Sequence, residues 1–283
     1  MAVTRAHRTA GRPDTISSKK PASLVLGSRI THFMVKNIDR RFAVHQDLIC
    51  KSSRLFKTKL QEKRKEIDGD CVICQETLAP QVSDITFCKA GCGQNIHEKC
   101  FKRWSAIQSI CPMCRVAWED SHEQLIEVNV SLNQHAVDLY IKWLYALGAI
   151  TLLDSLPEST SAAADRSTLH GLLSLHTVAL EFQDTQFATE VLRTFLQHWK
   201  QEAKRISLAP LMRDVYEDKL IREYSRRFLV QAYLTVIEPG WFDGATEAFP
   251  SQFVADVGNA LIVNRGVVPT ETLMLLWYKR KGR

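Results

Sequence analysis

The sequence predicts an α+β fold in which a short cysteine-rich insert interrupts a host of strands and helices. Three observations predict it. Seven of the eight cysteines fall between residues 71 and 114. Strand-like segments stand on both sides of that cluster, RITHFMVKNIDRRFAVH before it and LIEVNV after it. From residue 133 onward, apolar residues recur at the three-to-four spacing of amphipathic helices.

The chain has 283 residues, enough for one large domain or two smaller ones. Apolar residues make up 45% and charged residues 24%, the proportions of a water-exposed globular protein. No stretch approaches the ~20 uninterrupted apolar residues of a membrane span. The start, MAVTRAHRTAGRPDTISSKKPAS, lacks the apolar core of a secretory signal. It also lacks the apolar face of a transit peptide, so residues 1–27 are expected to form a disordered basic tail. An intracellular, reducing compartment, cytoplasm or nucleus, is expected, where clustered cysteines more often bind metal than pair as disulfides. The net charge is +6, and residues 1–70 hold 16 Lys/Arg against 7 Asp/Glu. Those cations are spread over a tail and helix surfaces without interleaved aromatics, so neither nucleic acid nor membrane is an expected partner.

The elements follow in order. Residues 30–35 and 41–45 are expected to be strands joined by the turn KNID. Asp47 stands where it could cap a helix, which SSRLFKTKL continues with Leu55, Phe56 and Leu60 on one face. His45 and Cys50 read as packing residues rather than ligands. After the cluster, LIEVNV alternates at the strand period, and Asn133 can cap a helix that Gly148 closes. STSAAADRST (159–168) reads as a loop, with Asp165 or Ser167 capping the next helix. Asp184 caps another, whose stripe of Phe187, Val191, Leu192, Phe195 and Trp199 belongs to a core. YEDKLIREYSRRFLVQAYLTVI is expected as one helix ending at EPG, and SQFVADVGNALIV as a last one capped by Ser251. WYKRKGR reads as a solvated basic tail. There is no phosphate-binding loop, Ser/His/Asp arrangement or internal repeat.

Within the cluster, two residues separate Cys71 from Cys74 and three separate Cys88 from Cys92. Four more lead to His97, two to Cys100, and ten to Cys111, which again stands two residues from Cys114. Eight ligands in four pairs suffice for two closed tetrahedral zinc sites. Thiolate and imidazole donors favour zinc over magnesium or calcium. With every ligand position filled, neither a catalytic water nor a free thiol nucleophile is expected. A module this short has little apolar core, and zinc must supply much of its folding energy, of order 10 kcal/mol per site.

The order Cys-Cys-Cys-Cys-His-Cys-Cys-Cys resembles RING variants and PHD fingers. Four positions favour RING. Ile73 precedes the second ligand, Trp104 follows the sixth by four residues, Pro112 follows the seventh and Arg115 the last. Ser109 stands where PHD fingers carry an aromatic. The RING resemblance implies a cross-brace: Cys71, Cys74, His97 and Cys100 on one zinc, Cys88, Cys92, Cys111 and Cys114 on the other. Cys92 replaces the histidine of the common RING at the fourth position. The resemblance further implies that Ile73, Trp104 and Pro112 bind a ubiquitin-conjugating enzyme. Arg115 would bridge that enzyme and ubiquitin as a linchpin. No residue of this chain would be catalytic or form a covalent intermediate, because rate comes from orienting the charged thioester.

The flanks resemble a BTB/POZ domain. RRFAVHQDLICKSSRLFKTKL is similar to its strand-then-helix segment, VDLYIKWLYALGAI to its later helix, and LLSLHTVALEFQDTQFATEVLRTFL to its closing helical pair. The implied organisation is a BTB-like first part (28–66), the RING module (67–118), a BTB-like second part (119–204) and a helical C-terminal extension (205–283). Exposed loops tolerate such insertions. BTB domains pair with themselves or with other proteins, which implies a homodimer or a partner chain. The function expected is a RING-type ubiquitin ligase acting on a protein substrate. A non-catalytic zinc-dependent adaptor and a PHD-type chromatin reader are the alternatives.

Overall fold

The computed structural model describes residues 26–119, 125–146, 148, 152, 162–202, 208–236 and 249–264. It is a mixed helix and strand structure. Strands β1 (Ile30–Val35) and β2 (Ile38–His45) form an antiparallel hairpin, with β2 starting three residues earlier than the sequence pattern predicts. The turn therefore narrows to Lys36 and Asn37. Asn37 is held there because its side chain donates to the Leu132 carbonyl at 2.9 Å and accepts from the Leu132 N–H at 2.8 Å.

Helices α1 (Gln46–Ser52) and α2 (Arg54–Gln61) follow, where one continuous helix was expected. The break falls at Ser53, which is extended. Its hydroxyl accepts from the Phe56 N–H at 3.3 Å and donates to the Phe182 carbonyl. Asp47 does not cap α1. It lies inside the first turn and bonds Gln61 and Arg64 instead. His45 and Cys50 are packing residues, as the sequence indicates. His45 contacts the Tyr145 hydroxyl at 2.7 Å, and burial together with the nearby Asp47 pushes the Cys50 thiol up to about 12.

The chain then enters the cysteine module, with strands β3 (Ile85–Phe87) and β4 (Asn95–His97) and helix α3 (Glu98–Ser105). It returns to the first sheet as β5 (Leu125–Val128), two residues shorter than LIEVNV suggests. β5 lies parallel to β1, with Phe33 opposite Ile126, giving the order β2-β1-β5. Residues on either side of the insert thus share one sheet.

Helix α4 (Gln134–Tyr145) begins at Asn133, whose side chain accepts from the Ala136 N–H at 3.1 Å. It ends where Gly148, at φ +74, donates its N–H to the Trp143 carbonyl at 3.2 Å, the left-handed closure expected of a glycine there. Helices α5 (Ala162–Glu181) and α6 (Thr185–Glu202) pack together. The expected loop over 159–168 is therefore helical from residue 162, and Asp165 and Ser167 lie inside α5 rather than at its cap. Alanines at 162–164 favour helix over loop. The helix expected over 216–237 is shorter, α8 (Glu223–Leu234), and residues 216–217 instead end a separate helix, α7 (Leu208–Glu217). They part where the Asp218 side chain accepts from the Leu220 N–H at 2.8 Å and the Asp218 carbonyl accepts from the Ile221 N–H, closing a local turn. Helix α9 (Ser251–Asn264) takes Ser251 as its first residue, not its cap. The expected basic C-terminal tail, the EPG stop and most of the N-terminal tail lie outside the described residues. Among the described residues, no helix is long and apolar enough to cross a membrane.

One buried core runs through the host and the C-terminal helices. Its centre is aromatic: Phe33, Phe56, Phe182, Tyr140 and Phe187 form a chain of ring contacts with centroids 5.0 to 5.7 Å apart. Phe195 of α6 meets Phe228 of α8 at 5.3 Å, tying the extension to the same core. Asp184 secures the turn between α5 and α6. Fully buried, it accepts the Phe187 N–H at 2.9 Å with one oxygen and the Tyr140 hydroxyl at 3.1 Å with the other. Burial lifts its carboxyl above the ordinary range. Replacing Asp184 with Ala removes the cap and orphans the Tyr140 hydroxyl, so a loss of about 2–4 kcal/mol is expected in denaturant unfolding. Asp184→Asn keeps an oxygen to accept the Phe187 N–H and places an NH2 that can donate to the Tyr140 hydroxyl oxygen, so it should lose clearly less.

Candidate metal centres and recognition surface

Two zinc-knuckle turns of the same design frame the module. In the first, the Cys71 N–H donates to Glu76 O and the Gln75 N–H to Cys71 O, both at 2.8 Å. In the second, the Cys111 N–H donates to Val116 O at 2.8 Å and the Arg115 N–H to Cys111 O at 2.9 Å. Each turn closes through a residue of left-handed backbone, Gln75 at φ 61 and Arg115 at φ 63. A non-glycine residue there costs about 1–2 kcal/mol. Since Gln75 bears the same strain as Arg115, the strain belongs to the knuckle and is no mark of function by itself.

The two turns, the connection between β3 and β4, β4 itself and α3 gather the ligand atoms into two groups: Cys71, Cys74, His97 and Cys100, and Cys88, Cys92, Cys111 and Cys114. Within each group all ligand atoms lie within 4.8 Å of one another. Chain order makes the groups interleave, as a cross-brace requires. Cys88 Sγ stands 3.7 Å from Cys114 Sγ, and Cys92 Sγ 3.8 Å from Cys111 Sγ. A tetrahedron with zinc–sulfur bonds of about 2.3 Å has edges of about 3.8 Å. His97 presents Nδ1 to Cys74 Sγ at 3.3 Å, while Nε2 faces the Thr77 carbonyl at 3.3 Å. A proton on Nε2 donated to that carbonyl leaves Nδ1 as the ligand and sets the ring orientation.

The thiols within each group diverge in acidity. Burial and the neighbouring thiols push Cys100 up to about 12. Cys71 is also buried, yet N–H groups of Cys74, Ile73 and His97 draw it down to about 7. Burial likewise raises Cys111 to about 12, whereas the Val116 N–H draws the half-buried Cys114 down to about 6. Thiols so crowded cannot all ionise beside one another, and a divalent cation removes that conflict. Donor type, count and spacing are consistent with two structural zinc ions.

The module's own apolar core is small: Cys71, Leu78, Ile85, Ile96 and Phe101, with Trp118 stacked on Phe101 at 3.7 Å. Ile73 and Trp104, two of the expected recognition residues, sit half-buried against this core. The Trp104 Nε1–H donates to the Ile110 carbonyl at 2.8 Å. Pro112 is also half-buried, and Arg115 is exposed. Trp104 is thus both a core residue and a surface one. The sequence reading missed two exposed apolar side chains nearby in sequence, Ile107 at 83% and Met113 at 55% exposure. Their signal was present, since each lies within three residues of Trp104 or Pro112, but an apolar residue reveals its exposure only in the fold.

With this geometry in view, residues 69–115 match the ring finger domain family. A RING-type zinc finger therefore occupies that stretch. The chain is also similar over short segments to proteins named E3 ubiquitin-protein ligase. It is 45% identical over 62 residues to E3 ubiquitin-protein ligase ZSWIM2 of Homo sapiens, covering 19% of this chain and 10% of that protein. It is 34% identical over 68 residues to Probable E3 ubiquitin-protein ligase ZFP1 of Oryza sativa subsp. japonica, covering 24% and 12%. The chain thus spans only about a tenth of the length of these relatives. No solved structure matches it.

Gly91 tests the second centre. A Cβ there would stand 2.6 Å from Cys114 Sγ and 3.2 Å from Cys88 Sγ. In Gly91→Ala, bound zinc counted by native mass spectrometry should fall from two per chain toward one. Chelation of wild type should abolish the signals of the module while most helical circular dichroism, which arises from the host, survives.

Proposed function

We propose that this protein is a RING-type E3 ubiquitin ligase. The RING-type module carries the reading, because it places Ile73, Trp104, Pro112 and Arg115 on a zinc-braced frame, with the first three half-buried and the arginine exposed. Rigid zinc turns hold such apolar side chains in one geometry, which lowers the entropic cost of docking. A ubiquitin-conjugating enzyme would seat on Ile73, Trp104 and Pro112. The Arg115 guanidinium, with five donors in a fixed fork, would bridge that enzyme and its ubiquitin. The two zinc sets Cys71, Cys74, His97, Cys100 and Cys88, Cys92, Cys111, Cys114 act structurally. Transfer to a protein substrate is then accelerated by orientation, with no covalent intermediate on this chain.

The host supports a BTB/POZ-like reading. Its order, two strands, two helices, the insert, a parallel strand, a helix and a helical pair, follows the segments whose residues resemble that family. The proposed division is 28–66 and 119–204 for the host, 67–118 for the RING and 205–283 for the helical extension. Such a host would serve self-association or substrate choice.

The test is autoubiquitination with purified protein, activating enzyme and a panel of conjugating enzymes. Ile73→Ala and Arg115→Ala should each lower transfer about ten-fold or more, equal to ~1.4 kcal/mol or above. Both should keep two zincs, because Arg115 is exposed and Ile73 lies at the margin of the module core. Two bound zincs with no transfer by wild type with any conjugating enzyme would replace this reading with that of a zinc-dependent adaptor.

A further inference from the structure

The RING-type module is tied to the host by more than its chain connections. Arg64 lies just after α2, and its side chain is only 7% exposed. Its Nη1 donates to Asp47 Oδ1 of α1 at 2.7 Å, and its Nε donates to Asn95 Oδ1 of β4 at 3.0 Å. Nη2 reaches the Ile85 carbonyl of β3 at 3.4 Å, and the guanidinium lies over the Phe87 ring, 5.2 Å from its centre. One buried cation thus grips the host on one side and both strands of the module on the other.

Neighbouring contacts remove the remaining freedom. Asn95 donates through Nδ2 to the Lys65 and Glu66 carbonyls at 3.1 and 3.0 Å. The Lys65 N–H donates to the Gly93 carbonyl at 3.1 Å. The backbone at Gly93, φ +71, presses so closely on the strap that a Cβ would lie 1.7 Å from the Lys63 carbonyl oxygen. A second strut, Arg29 to Glu98 at 3.4 Å, joins the start of the host to α3. Swinging the module away would leave Arg64 with Asp47 alone, stripped of Asn95 and the Ile85 carbonyl, and would take the Asn95 amide from the Lys65 and Glu66 carbonyls, which is costly for buried polar groups.

We propose that Arg64 is a positioning residue that locks the RING-type module to the host in one orientation. Resting on the ligase reading, this lock fixes where ubiquitin is delivered. A conjugating enzyme docked on the module approaches the host-bound substrate along one direction, so only lysines in a narrow zone are modified. The planar fork of arginine suits this role because its donors point in fixed directions toward three partners. Lysine, with a single flexible ammonium, could satisfy only part of the set.

The experiment uses the full chain with two zincs bound, comparing wild type, Arg64→Met, Arg64→Lys and the milder Asp47→Asn. Residual dipolar couplings report relative orientation without reference to activity. In wild type, one alignment frame should fit both the module and the host. In Arg64→Met the two should need separate frames while two zincs stay bound, with Arg64→Lys in between. Asp47→Asn should move the same way and keeps the test open if Arg64→Met fails to fold. Two frames in wild type, or one shared frame in zinc-loaded Arg64→Met, would overturn the proposal.

The activity arm separates positioning from function. Discharge of a charged conjugating enzyme to free lysine should stay within about two-fold of wild type in Arg64→Met, because the docking surface is intact. The autoubiquitinated lysines mapped by mass spectrometry should spread at least about two-fold in number as the direction of delivery loosens. Shared-frame loss with no discharge even in wild type would keep the lock and sink the ligase reading. An unchanged lysine map in an active, loosened variant would show that the lock does not direct delivery.

Discussion

The parallel pairing of β1 with β5 is the constraint on which the architecture depends. It joins residues separated by the whole metal module, so the sheet cannot close until the insert has brought its own ends back. Closure of a long flexible loop is entropically costly, although the cost grows slowly with length. Here the loop is not flexible. The α1 and α2 helices, the zinc turns and the strap around Lys63 to Glu66 fold it back on itself. The aromatic chain from Phe33 through Phe182 to Phe187 can then bury residues from both sides of the insert in one core.

The two halves of the molecule are stabilised by different physics. The host and C-terminal helices rest on apolar burial, with polar groups such as Asp184 and Ser53 placed where helix ends would otherwise be left unsatisfied. The module has too few buried apolar residues for that route. Burial raises some of its thiols while backbone N–H groups lower others, and thiols so crowded cannot all ionise without a cation between them. Folding of the module is therefore expected to depend on loading of metal, while the host has an apolar core of its own to add once β1 and β5 are brought together.

The recognition role proposed for Trp104 falls on a residue that also serves stability. Its indole closes part of the module core and bonds the Ile110 carbonyl, and it also reaches the surface. Substitution there mixes loss of contact with loss of fold. Ile73 and Arg115 separate the two more cleanly, because one lies at the margin of the core and the other lies outside it.

Much of the metal module was legible in the residues. Cysteine and histidine spacing along a chain is nearly a statement of geometry, because short turns bring paired ligands together whatever surrounds them. Local caps were legible for the same reason: Asn133, Gly148 and Asp184 act within four or five residues of themselves. The failures lay where neighbours decide. Ser53 breaks a helix because the Phe182 carbonyl, far along the chain, accepts its hydroxyl. Asp47 leaves its expected capping role because Arg64 claims it. Residues 162–168 are a different case, since the alanines at 162–164 favour helix locally and the small polar residues around them masked it. The sequence by itself determined which residues can bind metal, and roughly where strands and helices begin, since those properties are local. Only the tertiary structure decided that Arg64 holds the module against the host, because that role needs Asp47, Ile85 and Asn95, distant in sequence, to converge on one buried guanidinium.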